Sequence, residues 1–239
     1  MMDAYEVFRR SGQLVRSVVR HGKSHGVFQA AYLLLHQVLD VSFLRSRCGF
    51  HCVELYGAKA AELQAQQRFP RAFTLRTASP GDLHGLQKFF LKPNEVSSRL
   101  ERGDLCFLLE AGGHICAAEW LVRGPAQYRE DRNLLGYVIR VPEGGGWLYD
   151  GKGTTPGAWG SLMRFVAATL PSLGIQEVFL ITDLANVLSR ASHRSLGYRV
   201  QGRVWHLRLP GVSLRRYTNG EHRWRPLPVT VGRHEVLPE

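Results

Sequence analysis

Along residues 5–20, YEVFRRSGQLVRSVVR, apolar positions recur at helical spacing. Val7, Phe8, Leu14, Val15, Val18 and Val19 share one side, while Arg9, Arg10, Arg16 and Arg20 fall largely around the other. A punctuating HGKSHG follows, and the pattern then predicts a second, more apolar helix over 27–39. FHCVELY at 50–56 alternates as a short strand, 58–68 has the composition of a polar helical connector, and Phe69-Pro70 breaks the pattern before a strand at 73–77. Ser79-Pro80 predicts an N-cap and first turn for a helix carrying Leu83, Leu86, Phe89 and Phe90. A further helix is expected around 94–102. Strands at 105–111 and 114–122 are joined by Gly112-Gly113, a hairpin turn. Strand material at 135–141 and 146–150 leads into a helix running to about Leu170. The unbroken EVFLIT at 177–182 suggests burial on both faces. A helix over 186–195, ended by Gly197, and one or two strands over 198–209 complete the pattern. The order from 73 to 209 is β-α-α-β-β-β-α-β-α-β-β. That predicts an α/β fold built on a mixed, mostly antiparallel sheet flanked by helices. The expected organisation is a basic helical N-terminal extension (1–70), the α/β domain (71–210) and an irregular tail (211–239) rich in proline and arginine.

Composition narrows the picture. The chain has 239 residues, 44% of them hydrophobic and 21% charged, which is ordinary for a globular protein. The net charge of +11 favours anionic partners: a phosphorylated cofactor, nucleic acid or an acidic membrane surface. The charge is spread out, with no dense basic stripe and no nucleic-acid reading motif, which argues against nucleic acid. The first helix is open to two readings, as half of a helical pair packed on the main domain or as a basic surface making peripheral membrane contact through residues 5–20. The longest apolar stretch, Val27 to Leu39, falls short of the roughly twenty residues a spanning helix needs. Asp3, Glu6 and four arginines among residues 1–20 do not fit a secretory leader, so a cytoplasmic protein with reduced thiols is expected. Cys106 and Cys116 fall in strand runs as small hydrophobes. Cys48-Gly-Phe-His51-Cys52 lacks a second ligand pair, so no metal is expected.

The loop GTTPGAWGSLMRFV at 153–166 puts three glycines and a proline directly before a helix. A plain turn is one explanation. An anion seated on the helix start is the other, because unpaired N–H groups and the helix dipole converge there and glycine lets the backbone come close. Three stretches bear on this: SPGDLHGLQKFF after a strand, GWLYDGKGTTPGAWGSLMRFVAATL, and Asn186-x-x-Ser189 followed by Leu196-Gly197-Tyr198. Together, over about residues 72–209, they resemble the GNAT superfamily of N-acetyltransferases. The resemblance implies acetyl-CoA or another acyl-CoA as co-substrate, with its pyrophosphate on the loop and first helical turn. Tyr149, Gly153, Gly157, Ala158, Trp159, Gly160, Ser161 and Asn186 are the residues implied in cofactor contact, and Lys152 adds charge. The sequence departs from the family pattern at Trp159, bulky where a small residue is usual, and at His193, where a tyrosine is usual.

The implied reaction is acyl transfer to an amine of a small molecule, with the alternative of a catalytically inactive GNAT-like binding protein. N-acyl transfer from a thioester needs a neutral amine, stabilisation of the carbonyl oxygen and a tolerable thiolate. Backbone of the strand Trp147–Asp150 is implied in polarising the carbonyl. Asp150 and Glu119 are candidate bases; a strand-end cap for Asp150 and a solvent-facing position for Glu119 are the plainer readings. His193 is the candidate donor to the thiolate, or else a surface histidine. Trp120, Tyr128, Tyr137, Trp147 and Tyr149 are candidates for lining an acceptor pocket or for ordinary packing.

Overall fold

Gly112 and Gly113 turn the chain as predicted. Both have positive φ, 57° and 78°, and Ala111 pairs with His114 across the turn, so β3 (Leu105–Ala111) and β4 (His114–Arg123) form a tight hairpin. The computed structural model describes residues 49–63, 65, 73–90, 93–130, 137–209, 212–219, 224–226 and 234–236, together with Tyr32, which is helical. The helices expected at 5–20 and 27–39, and with them the membrane-contact surface and Cys48, otherwise lie outside the described residues.

In chain order the elements are β1 (Gly49–Lys59), β2 (Phe73–Thr77), α1 (Leu83–Phe90), α2 (Pro93–Glu101), the β3–β4 hairpin, β5 (Ala126–Glu130), β6 (Tyr137–Val141), β7 (Gly145–Gly153), α3 (Ala158–Thr169), β8 (Glu177–Asp183), α4 (Val187–Ser195) and β9 (Arg199–Leu209). Three more strands follow in the stretch expected to be irregular: β10 (Val212–Asn219), β11 (Trp224–Pro226) and β12 (His234–Val236). The polar connector predicted as helix at 58–68 begins instead with the end of β1 and a 3-10 turn, Ala60–Glu62.

Two compact units divide the chain, and the division falls within β1, β8 and β9 and after the first residue of α4. The larger comprises 55–181, 188–201 and 232–239; the smaller comprises 1–54, 182–187 and 202–231. In the larger unit the strand order is β9-β1-β8-β7-β4-β3-β2, with a separate three-stranded sheet β12-β6-β5. Pairing is antiparallel between β2 and β3, β3 and β4, and β4 and β7, and parallel between β7 and β8. The sheet is therefore mixed and mostly antiparallel with helices against it, as the pattern predicts. In the smaller unit the order is β11-β10-β9-β1-β8. There Tyr32 accepts the Cys52 N–H at 3.0 Å and donates to Asp183 at 3.2 Å, and the buried Glu54 pairs with Arg203 at 2.8 Å.

The core of the larger unit explains why α3 sits where it does. Ala158, Leu162, Met163, Val166 and Ala167 form one buried stripe, packed with Phe107 and Leu109 of β3, Ala117 and Leu121 of β4, Leu148 of β7 and Val178 and Leu180 of β8. Each large side chain so buried contributes about 1.5–3 kcal/mol. The stripe fixes the start of α3 beside the end of β7. On β8 the burial alternates: Val178 and Leu180 are buried, Phe179 and Ile181 only half so. Burial on both faces, suggested by the apolar run, is thus incomplete.

Ser79 caps the turn before α1 as predicted, its N–H and Oγ donating to Asp82 at 2.7 and 2.8 Å. Arg76 of β2 binds Asp82 and Glu110 together, each at 2.6 Å. Arg76 acts first, against the opposing cost of burial, to hold the Asp82 carboxyl well below its ordinary value. A depressed folded-state value gives stability that is present above the unfolded carboxyl pKa of about 4 and lost as pH falls through the folded one. Asp82→Asn is therefore expected to lower stability by about 1 kcal/mol at pH 7, since Arg76 is partly exposed, and to remove part of the loss between pH 4 and 2; urea titrations across pH measure both.

Candidate functional site

The end of β7, residues YDGKG, is irregular for a reason visible in its pairing. Trp120 of β4 faces Tyr149, but Ala118 faces Lys152, so Asp150 and Gly151 together oppose the single residue Glu119. This is a β-bulge. Asp150 takes φ 54°, the one positive value at a non-glycine position among the described residues. In a regular strand Tyr149 and Asp150 would face opposite sides. Here both meet Arg99 of α2. Its Nη1 lies 2.8 Å from Asp150 Oδ2, a coulombic contact without hydrogen-bond alignment, and its guanidinium carbon lies 4.9 Å from the Tyr149 ring centre.

Arg99 is 4% exposed and also stacks on Trp120 at 5.2 Å and Phe90 at 5.9 Å. Burial works against its charge, but Tyr149, Asp150 and Glu95 outweigh it and hold its pKa above the ordinary arginine value. The Tyr149 hydroxyl donates to Asp104 at 2.6 Å, and burial, then that hydrogen bond, pushes the phenol far above its ordinary range. Tyr128 stacks on Tyr149 at 4.4 Å. Trp120 and Trp147 are fully buried side chains of the sheet.

On the α3 side of the sheet lies a second cluster. Glu119 is not solvent-facing, as alternation suggested, but 3% exposed. Its Oε2 accepts the Trp159 Nε1–H at 2.8 Å. The Trp159 ring meets His193 of α4 edge-on, centres 5.0 Å apart. His193 is 4% exposed, so the surface reading does not hold. Its ring lies against Tyr56 and Tyr198, its Nε2 is 3.0 Å from Ser189 Oγ, and among the described residues Nδ1 has no hydrogen-bond partner. Burial lowers its pKa to about 4, so the imidazole is neutral at pH 7. Gly151 is required beneath this cluster, because a methyl there would stand 1.9 Å from Glu119 Oε2 and 2.6 Å from Trp159 Nε1.

The loop then reaches α3. Gly157 takes φ 77° as its N-cap, a conformation open to glycine at little cost. Three loop amides are used internally: Thr154 N–H donates to Cys116 O at 2.8 Å, Ala158 to Thr155 O at 3.1 Å and Ser161 to Gly157 O at 3.0 Å. Among the described residues none accepts from the N–H groups of Gly157, Trp159 and Gly160. The Lys152 ammonium donates to Phe89 O at 2.6 Å.

The structure therefore brings Glu119, Trp159 and His193 together on one side of β7, sets Tyr149 and Asp150 on the other, and places Gly153, Gly157, Ala158, Gly160 and Ser161 along the loop and first turn of α3. Asn186 belongs to the smaller unit, where its N–H donates to Asp183 O at 2.9 Å. Sequence reasoning missed Arg99 and Gly151. An arginine three residues after the buried Val96 on a helix was the available sign for the first. A cavity of 540 Å³ lies at the opposite end of β7, lined by Arg102, Asp104, Arg123, Tyr128, Gly145 and Ile175 among others; of the candidate residues only Tyr128, expected at an acceptor pocket, lines it, and none of the expected catalytic or cofactor-binding residues does. Among the described residues no group of three His, Cys, Asp or Glu is placed to hold a metal, and no helix is long and apolar enough to cross a membrane.

His193 generates a pH dependence. The unfolded imidazole, near 6.5, binds a proton more readily than the folded one near 4, so folding stability should fall as pH drops from about 6.5 to about 4 and then level off. The contribution is at most about 3 kcal/mol. Denaturant titrations of the wild type and His193→Phe between pH 7 and 4 should show the smaller slope in the variant.

No protein-family model matches the sequence, and no curated protein matches it. In fold the chain is similar to solved GCN5-related N-acetyltransferases. One from Kribbella flavida is 13% identical with a TM-score of 0.47, over 76% of this chain and 63% of that one. One from Sphaerobacter thermophilus is 17% identical with a TM-score of 0.47, over 73% and 55%. A functionally unknown conserved protein from Staphylococcus epidermidis is similar at 12% identity and a TM-score of 0.47, over 73% and 66%. The chain thus spans between 55 and 66% of the length of these structures.

Proposed function

We propose that this protein is a GNAT-type N-acyltransferase, moving an acetyl or other acyl group from acyl-CoA to an amine of a small molecule. The observation that carries the reading is the junction of β7 and α3. The parallel pairing of β7 with β8 ends at Leu148–Leu180 while β7 continues to Gly153, and the next helix begins there with three N–H groups that no described residue accepts. Carboxyl ends of adjacent parallel strands beside a helix start favour a phosphate-bearing ligand.

In this reading the amides of Gly157, Trp159 and Gly160 take the diphosphate. Backbone of β7 near Tyr149 and Asp150 lies along the thioester, where an N–H can stabilise charge building on the carbonyl oxygen. The amine nitrogen attacks the carbonyl carbon, the C–S bond breaks, the amine loses a proton and the thiolate leaves. Glu119 is the candidate for the amine's proton. Asp150, already opposed by Arg99, fits better as a holder of the bulge. His193 is neutral, so it serves the sulfur as a hydrogen-bond donor rather than as a store of protons.

One observation favours the second reading, a non-catalytic binding protein: the Trp159 indole occupies the ground between β7 and His193. Turnover of acetyl-CoA against a panel of amines, read by mass of the products, separates the two, since any acylated amine excludes it. For the leading reading, millimolar CoA should raise the melting temperature of the wild type by mass action. Gly157→Asp, which sets a carboxylate at the helix start, should lose most of that shift. No shift in the wild type, or an equal shift in the variant, would count against acyl-CoA at this loop.

A further inference from the structure

Trp159 has a backbone at the start of α3 and a side chain that reaches across to the sheet. Its indole packs against the edge of the core and is half-buried, whereas the side chains of Trp120 and Trp147 are nearly inaccessible. On the β7 side it lies over two residues without side chains. A methyl at Gly153 would be 2.9 Å from Trp159 Cβ, and one at Gly151 would be 2.6 Å from Nε1. On the other side the ring meets His193 of α4, which follows β8 in the chain. One hydrogen bond, to Glu119, holds it from beneath. The ring therefore bridges β7 to α4 beyond Leu148–Leu180, where the parallel pairing stops. Trp159, whose own backbone N–H is one of the three unaccepted amides at the helix start, stands with its indole directly against both Glu119 and His193.

We propose that Trp159 is a displaceable plug and the residue that decides which donors enter. The acyl donor swings the indole outward, which breaks its bond to Glu119. The proposal rests on the acyl-transfer reading and adds a conformational step to it: donor binding and removal of the indole go together, and the surroundings of Glu119 change when its Oε2 loses the Trp159 N–H. The wild-type affinity for donor is reduced in proportion to the fraction of molecules in which the plug is out.

The test uses the full chain with CoA as probe in calorimetric titrations of the wild type, Trp159→Phe and Trp159→Ala. Phenylalanine keeps a ring but has no N–H for Glu119, and it guards against the alanine variant failing to fold. The expected result is CoA binding several-fold tighter in Trp159→Phe and about tenfold or more tighter in Trp159→Ala. The indole N–H resonance of Trp159, identified by its loss in Trp159→Phe, should shift on CoA addition to the wild type. Wild-type binding with neither variant tighter, or an indole resonance unmoved at saturating CoA, overturns the plug and leaves the acyl-transfer reading standing. Absence of CoA binding by all three proteins removes both.

Discussion

The parting of β7 from β8 after Leu148–Leu180 governs the structure around it. Up to that pair the two strands share a ladder; beyond it β7 bends away over a bulge at Asp150 and Gly151. α3 cannot follow β7 outward, because its buried stripe from Ala158 to Ala167 is committed to β3, β4, β7 and β8. The helix start is therefore left beside the strand end, with the N–H groups of Gly157, Trp159 and Gly160 accepted by none of the described residues. The Trp159 indole lies over β7 at Gly151 and Gly153.

The bulge also sorts the charges. Asp150 is turned to the same side as Tyr149, where Arg99 meets it from a bed of aromatic rings. A guanidinium this deeply buried is stable only with counter-charges close by, and Asp150 and Glu95 supply them. On the other side Glu119 Oε2 accepts the indole N–H, and His193 resolves its own burial by staying neutral.

Much of this was legible in the sequence because the physics is local. Gly112-Gly113 dictated a hairpin, Ser79-Pro80-Gly81-Asp82 a capped turn, and the apolar spacing after Gly157 a helix packed on one face. Where the reading failed, the deciding partner was remote in sequence. AQYRE at 126–130 is too short and polar to declare itself a strand, and becomes one only through pairing with β6. The stretch after Pro210 reads as irregular, yet Val212–Asn219 finds β9 as a partner. Alternation placed Glu119 in solvent, but β4 is buried on both faces from Ala117 to Val122; Leu121 and Ala117 on the side of Glu119 pack under α3, and the carboxylate is covered with them.

By itself the sequence determined the order of elements, the glycine-rich approach to α3 and the set of residue types available for chemistry, since spacing, capping and turn preference act within a few residues. Tertiary structure alone decided that Trp159 turns inward over Gly151 and Gly153, that Arg99 is the counter-charge of Asp150, and that His193 is buried and so resists protonation down to about pH 4. Those outcomes depend on which distant groups share a low-dielectric space, and that is fixed by packing rather than by neighbours in the chain.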